Sequence, residues 1–185
     1  MNLYFKKELV LKDSLKTMIE TENLILRPLT YEQLVKYGNL DNSLEEELNI
    51  EKSPRSITPE LREALDYGII PNVADEQKNY LFSTLWILIL KENNKMIGDV
   101  CFKGEPKIDG EIEISYGTLF EFRRKGYMTE AVGEMLKWAK KHSNVMKVLA
   151  YSEKNNVSSQ RVLRNNGFSQ TSEDKGIIYW EIRVR

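Results

Sequence analysis

This chain of 185 residues has only one cysteine and one histidine. A lone thiol, Cys101, excludes an internal disulfide framework, and the pair is too small a set for a zinc cluster, so no metal is expected. The longest apolar run, near residues 85–90, falls far short of the about 20 residues a membrane helix needs. An excess of either sign of charge is also missing: 27 basic and 28 acidic residues give a net charge of −1. That balance argues against general nucleic-acid or membrane-surface binding, both of which draw on a basic excess. The opening MNLYFKKELVLKDSLK scatters its charges and lacks a signal-peptide core, which with the single cysteine makes the cytoplasm the expected compartment. Neither Gly-x-x-x-x-Gly-Lys-Ser/Thr nor Gly-x-Gly-x-x-Gly occurs, so an ATP- or NAD-dependent enzyme ranks low. Repeats, low-complexity tracts and linkers are absent, and the expectation is one domain over residues 1–185.

What is present is a mixture of helix and strand periods. Residues 1–20 read as an extension ahead of the fold, either a helix or an added strand. TENLILRPL brackets a first strand closed by Pro28, and Thr30 with Gln33 forms a capping box for a helix over 31–37 that Gly38 is expected to stop. Residues 38–80 show no strand pattern. They hold Thr58-Pro59 ahead of ELREALDYG, a helix expected to end at Gly68. Strands over 86–90 and 96–102 flank a turn at 91–95, and further strands are expected at 111–119, 147–151, around Phe168 and at 177–184. Helices at about 129–141, with Ala131, Val132, Met135, Leu136 and Ala139 on one face, and at about 158–165 separate them. Trp138 is read as a flank of that helix and His142 as a surface residue at its end. The fold class is mixed α/β.

The most informative stretch is GEIEISYGTLFEFRRKGYMTEAV, residues 110–132. Ile112, Ile114 and Tyr116 alternate with Glu111, Glu113 and Ser115, the period of a strand with one buried face. The strand runs through Arg123-Arg124-Lys125-Gly126 into a helix, whose first N–H groups lack intrahelical partners. Together with the helix dipole and three adjacent cations, this makes a phosphate site, one strand away from a carboxylate.

These motifs resemble the GCN5-related N-acetyltransferase superfamily, and within it the ribosomal-protein N-terminal acetyltransferase branch. EISYGTLFEFRRKGYMTEA is similar to that family's acetyl-CoA pyrophosphate motif, and NNVSSQRVLRNNGF to its second cofactor motif; the likeness spans about residues 20–170. The family pattern Arg/Gln-x-x-Gly-x-Gly/Ala falls on Arg123, Gly126 and Met128, and Met128 departs from it. The resemblance implies a central twisted sheet of about six to seven strands, splayed between the fourth and fifth strands counted from TENLILRPL. It also implies acetyl-CoA as cosubstrate. Amides from Arg124 to Thr129, including Tyr127 and Met128, would take the pyrophosphate, with charge from Arg123, Arg124 or Lys125. Backbone from Thr118 through Leu119 to Phe120 would take the pantetheine arm, and Asn156 would bond to it as well.

In the family's chemistry Glu113 is implied as the base, directly or through water, and Ser159 as a proton donor to the departing thiolate. The tyrosine many relatives use as acid is replaced here by Leu163. Read locally, Asn156 and Ser159 are also ordinary helix caps. The acceptor is expected to be a primary amine, of a protein N-terminus or a small molecule. Residues 38–80 and the last hairpin at about 168–180 would form its side of the site, and in the first Glu45-Glu46-Glu47 with Glu60 is either a lure for a cation or a solvated helix face. The alternative to an enzyme is a CoA-binding module with little catalysis. A homodimer is left open.

Overall fold

The computed structural model describes residues 17–185. Eight strands form one sheet in the order β1-β2-β3-β4-β5-β6-β8-β7. They are β1 (Ile19–Glu20), β2 (Leu24–Pro28), β3 (Trp86–Leu90), β4 (Lys95–Phe102), β5 (Glu111–Thr118), β6 (Lys147–Glu153), β7 (Ser169–Asp174) and β8 (Ile177–Arg183). The strand beyond the expected seven is β1, at the end of the N-terminal extension; the extension's first 16 residues lie outside the described ones. All neighbours pair antiparallel except β5 and β6, which are parallel and joined by a long helix, α5 (Tyr127–Lys140).

Helices cover both faces of the sheet, which is why WILIL in β3 is apolar at every position and every residue of it is buried. Trp86, Leu88 and Leu90 enter a core beneath α5 and α6 (Val157–Asn165). Ile87 and Ile89 enter a second core with Tyr37, Leu44, Leu48 and Leu65. That second core lies beneath α1 (Tyr31–Asn39), α2 (Ser43–Leu48) and α3 (Pro59–Ala64). Ala131, Val132, Met135, Leu136 and Ala139 form the buried stripe of α5.

Four local expectations are corrected. Gly38 does not stop α1, which ends at Leu40 with φ 61°. Gly38 is instead a packing residue: a Cβ there would lie 3.1 Å from Arg62 Nη1, and Arg62 Nη2 donates to Gly38 O at 2.6 Å. Nor does Gly68 end the next helix. The chain continues through a π-helical turn, Leu65–Ile69, into α4 (Ile70–Ala74), with Ile70 N–H reaching back to Leu65 O. The widened turn precedes Pro71, which has no N–H to donate. Trp138 is not a flank but the centre of an aromatic cluster, 4.8 Å from Phe82, 5.5 Å from Trp86 and 4.3 Å from His142 between ring centres. His142 is therefore half-buried packing, with its pKa lowered by burial and then by Lys141.

Candidate active site

Pairing between β5 and β6 covers Glu111↔Lys147, Ile112↔Val148 and Glu113↔Leu149 and then stops. Beyond Glu113 the two strands part, and β5 continues to Thr118 alongside β4 alone. Lys103 N–H donates to Glu113 O and Leu119 N–H to Ile97 O, each at 2.9 Å. In an antiparallel ladder this assigns the odd-numbered backbone groups of β5 to β4. The even-numbered ones, at Tyr116 and Thr118, point into the opening. Leu119 N–H is thus held by β4, while Thr118 borders the gap.

At the wide end of that opening the chain makes a short 3₁₀ turn, Phe120–Phe122, and enters α5. Gly126 is the N-cap, with φ 87°, and being glycine it makes no side-chain cap to the helix end. A left-handed φ is what glycine tolerates without strain. Among the described residues no side chain competes for the amides of Tyr127, Met128 and Thr129. Arg123, Arg124 and Lys125 are exposed around them. Arg123 Nε donates to Thr118 O at 3.0 Å, its guanidinium lying over the Phe120 ring, and Lys125 lies over Phe122. The departure at Met128 has a physical reason: its side chain turns inward and is 6% exposed.

Across the opening, Asn156 caps α6, accepting from Ser159 N–H at 3.1 Å and from the Ser158 hydroxyl at 2.9 Å. The Ser159 hydroxyl lies 2.9 Å from the Tyr116 hydroxyl, so the strand and α6 are joined at that point. Tyr116 is partly buried, and burial pushes its phenol up to about 12 while the bond to Ser159 opposes the shift. Leu163 is fully buried in the core. The Tyr116–Ser159 contact spans 43 residues and was not legible in the sequence.

On the face away from α5 and α6, Glu113 is ion-paired with Lys103, and Glu111 with Lys147 at 2.5 Å. The acidic run in α2 is likewise answered within the chain. Glu45 pairs with buried Arg55, Glu46 with Lys52 at 2.6 Å and Glu47 with Lys36 at 2.5 Å. Cys101 is buried and its thiol is pushed up to about 12, chiefly by burial, so it is not a ready nucleophile. Beside it, Asp99 accepts a hydrogen bond from the Tyr37 hydroxyl at 3.1 Å. No group of three or more metal-ligating side chains occurs among the described residues, and none of their helices is long and apolar enough to cross a membrane.

Comparison with known proteins follows the same lines. The family model described as Acetyltransferase (GNAT) domain matches residues 23–169. The chain is similar to an uncharacterized N-acetyltransferase of Bacillus subtilis, YjdG, at 27% identity over 163 residues, covering 88% of this chain and 96% of that protein. Among solved structures it resembles the ribosomal-protein-S5-alanine acetyltransferase of Vibrio fischeri, with a TM-score of 0.65, 21% identity and coverage of 90% and 96%. It also resembles RimL, a ribosomal L7/L12 alpha-N-protein acetyltransferase in complex with coenzyme A, with a TM-score of 0.63, 17% identity and coverage of 90% and 97%. With most of its length inside the family model, and with a splayed sheet opening onto a helix capped by glycine, the chain belongs to the GNAT family of acetyltransferases and is an N-acetyltransferase.

Proposed function

We propose that the enzyme moves an acetyl group from acetyl-CoA to a primary amine, a protein N-terminal α-amine or a small-molecule amine, within one ternary complex. The observation that carries this reading is the opening between β5 and β6, bordered by backbone that neither β4 nor β6 pairs and leading to the N-terminus of α5. Its chemistry fits the cosubstrate. The amides of Tyr127, Met128 and Thr129, with Arg123, Arg124 and Lys125, would hold a pyrophosphate. Backbone at Tyr116 and Thr118, on toward Phe120, would hold the pantetheine arm as an added strand, with the Asn156 side chain on its other side. Bound acetyl-CoA supplies an acyl group activated as a thioester.

The chain's own residues do the rest. A β5 amide aimed into the opening offers a hydrogen bond to the acyl oxygen, the electrostatic role of an oxyanion hole. Ser159, held by Tyr116, keeps a hydroxyl proton beside the path of the arm. The amine approaches from the face beneath α1–α4, where two carboxylates face it. One is Glu113, which the family resemblance implies as base; the other is Asp99. A free α-ammonium has a pKa near 7.7–8.0 and a lysine ammonium near 10.4, so either amine needs to lose a proton before it reacts.

The test is acetyl-CoA-dependent thiol release against N-terminal peptides, lysine peptides, polyamines and aminoglycosides, with acetyl-CoA binding measured separately. We expect one class of amine to release thiol. Gly126→Val, which strains the left-handed N-cap, should weaken acetyl-CoA binding about tenfold or more. Tight binding by Gly126→Val would sink the placement of the pyrophosphate at this turn.

A further inference from the structure

Asp99 differs from Glu111 and Glu113 on its face of the sheet and from the acidic run of α2. Glu45, Glu46, Glu47, Glu111 and Glu113 each pair with a lysine or arginine of the chain, whereas Asp99 has no such partner among the described residues. It is nevertheless half-buried, in a strand where its neighbours Gly98 and Val100 are buried. A carboxylate in such a place ordinarily has a cation beside it.

Its surroundings give it a direction. Asp99 is directly opposite Gly117 on β5, so the two positions share a face. Gly117 is exposed, and among the described residues the one atom within 4 Å of a Cβ built on it would be Asp99 Oδ1, at 3.9 Å. The strand therefore offers bare backbone there, with a carboxylate oxygen at its edge, between the two residues whose amides face the opening. Asp99 Oδ2 is held by the Tyr37 hydroxyl. Tyr37 is in turn fixed: it is 4% exposed, the Arg55 guanidinium lies 5.0 Å from its ring centre, and Arg55 Nη2 donates to its carbonyl at 3.3 Å. One oxygen is anchored and the other is turned toward the site.

We propose that Asp99 is the acceptor-side catalytic carboxylate: Oδ1 pairs with the incoming ammonium over Gly117 and takes its proton. This rests on the acetyl-transfer reading above. The ammonium nitrogen gives one proton to Asp99 and becomes a neutral amine. That nitrogen forms the C–N bond as the C–S bond breaks; its second proton ends on the departing sulfur, and Asp99 returns its own to solvent. Glu113, occupied with Lys103, stands further along the same face.

The environment suits a base that works near neutrality. Burial raises the Asp99 carboxyl to about 6, and the Tyr37 hydrogen bond pulls the other way. The titratable groups around it are Tyr37 from α1, with Arg55 behind it, and Cys101 on β4, beyond which stand Lys103 and Glu113. Ser115 and Gly117 on β5 and Ile87 on β3 bring no charge.

Two measurements decide the matter. In protein labelled with carboxyl-¹³C aspartate, the resonance missing from Asp99→Asn should titrate near pH 6. Saturating n-butylamine should lower its midpoint by about half a unit or more, as a paired cation does. With an amine that supports thiol release, Asp99→Asn should lower kcat/KM about a hundredfold and remove the acid limb of the pH profile, leaving acetyl-CoA affinity unchanged. Asp99→Glu should restore part of the rate. Tyr37→Phe should move the acid limb upward, since it removes the hydrogen bond that favours the carboxylate. A resonance indifferent to n-butylamine, or an Asp99→Asn enzyme that keeps its acid limb, overturns the assignment. Loss of acetyl-CoA binding and thiol release by the unmodified enzyme would instead sink the acetyl-transfer reading, and the titration would then decide on Asp99 alone.

Discussion

Along β5, Ile112 and Ile114 turn toward α5 and α6 into a dry core, whereas Glu111, Glu113, Ser115 and Gly117 turn to the side beneath α1–α4. The first face is held by volume: Ile114 is 2% exposed and sits among large apolar side chains. The second is held by pairing, charge against charge and hydroxyl against carboxylate, and Asp99 has no cation paired with it among the described residues. One strand thus carries two kinds of bond, and the difference separates what keeps the fold together from what is available to a substrate.

The comparison breaks most easily on the apolar face. Ile114→Ala should cost about 2–5 kcal/mol, the usual range for emptying a packed isoleucine site, and urea unfolding measures it directly. A loss below about 1 kcal/mol would mean that this face is not close-packed. Next in size is Asp99→Asn, which should stabilise the protein by about 1–2 kcal/mol at pH 8. The sign follows from the raised carboxyl: the folded state holds the proton more tightly than the unfolded chain does. The penalty for the charged form is therefore complete above about pH 6 and vanishes as pH falls below the unfolded carboxylate's pKa of about 3.9. Urea melts at pH 8 and pH 4.5 should show the advantage shrinking, and an advantage constant with pH would sink this account. Smallest is Lys103→Ala. Its partner lies near the surface, so the change should be within about 1 kcal/mol and fade with salt. A larger, salt-independent loss would show that the Glu113 pair is part of the framework.

Much of this was legible from the chain. The period of EIEISY separates the two faces of β5, and the glycine turn after it marks the start of α5. The Thr30/Gln33 capping box is present with both of its hydrogen bonds. These are local signals, readable within a few residues. What escaped is long-range. Tyr37 and Asp99 are 62 residues apart, and no spacing rule joins a tyrosine in an amphipathic helix to an aspartate in a distant strand. One signal was present: Asp99 follows glycine in the otherwise apolar MIGDVCF, and a lone carboxylate in such a strand asks for a reason. The same limit explains Gly38 and Trp138, whose roles depend on Arg62 and on Phe82, Trp86 and Phe102, side chains their own helices do not contain.

The alternation of β5 also bears on which changes of length the gene can accept. Odd positions bind β4 through their backbone and send their side chains to the side beneath α1–α4; even positions open toward β6 and send theirs into the core. An insertion of one residue within β5 would exchange these duties at every later position; placed between Glu111 and Ile112 it would bury Glu113 and turn Ile112 and Ile114 out. An insertion of two would preserve the parity, and one in the exposed loop at 103–109 would leave it untouched. Related chains that differ in length are therefore expected to differ in that loop, with the strand spaced as it is here.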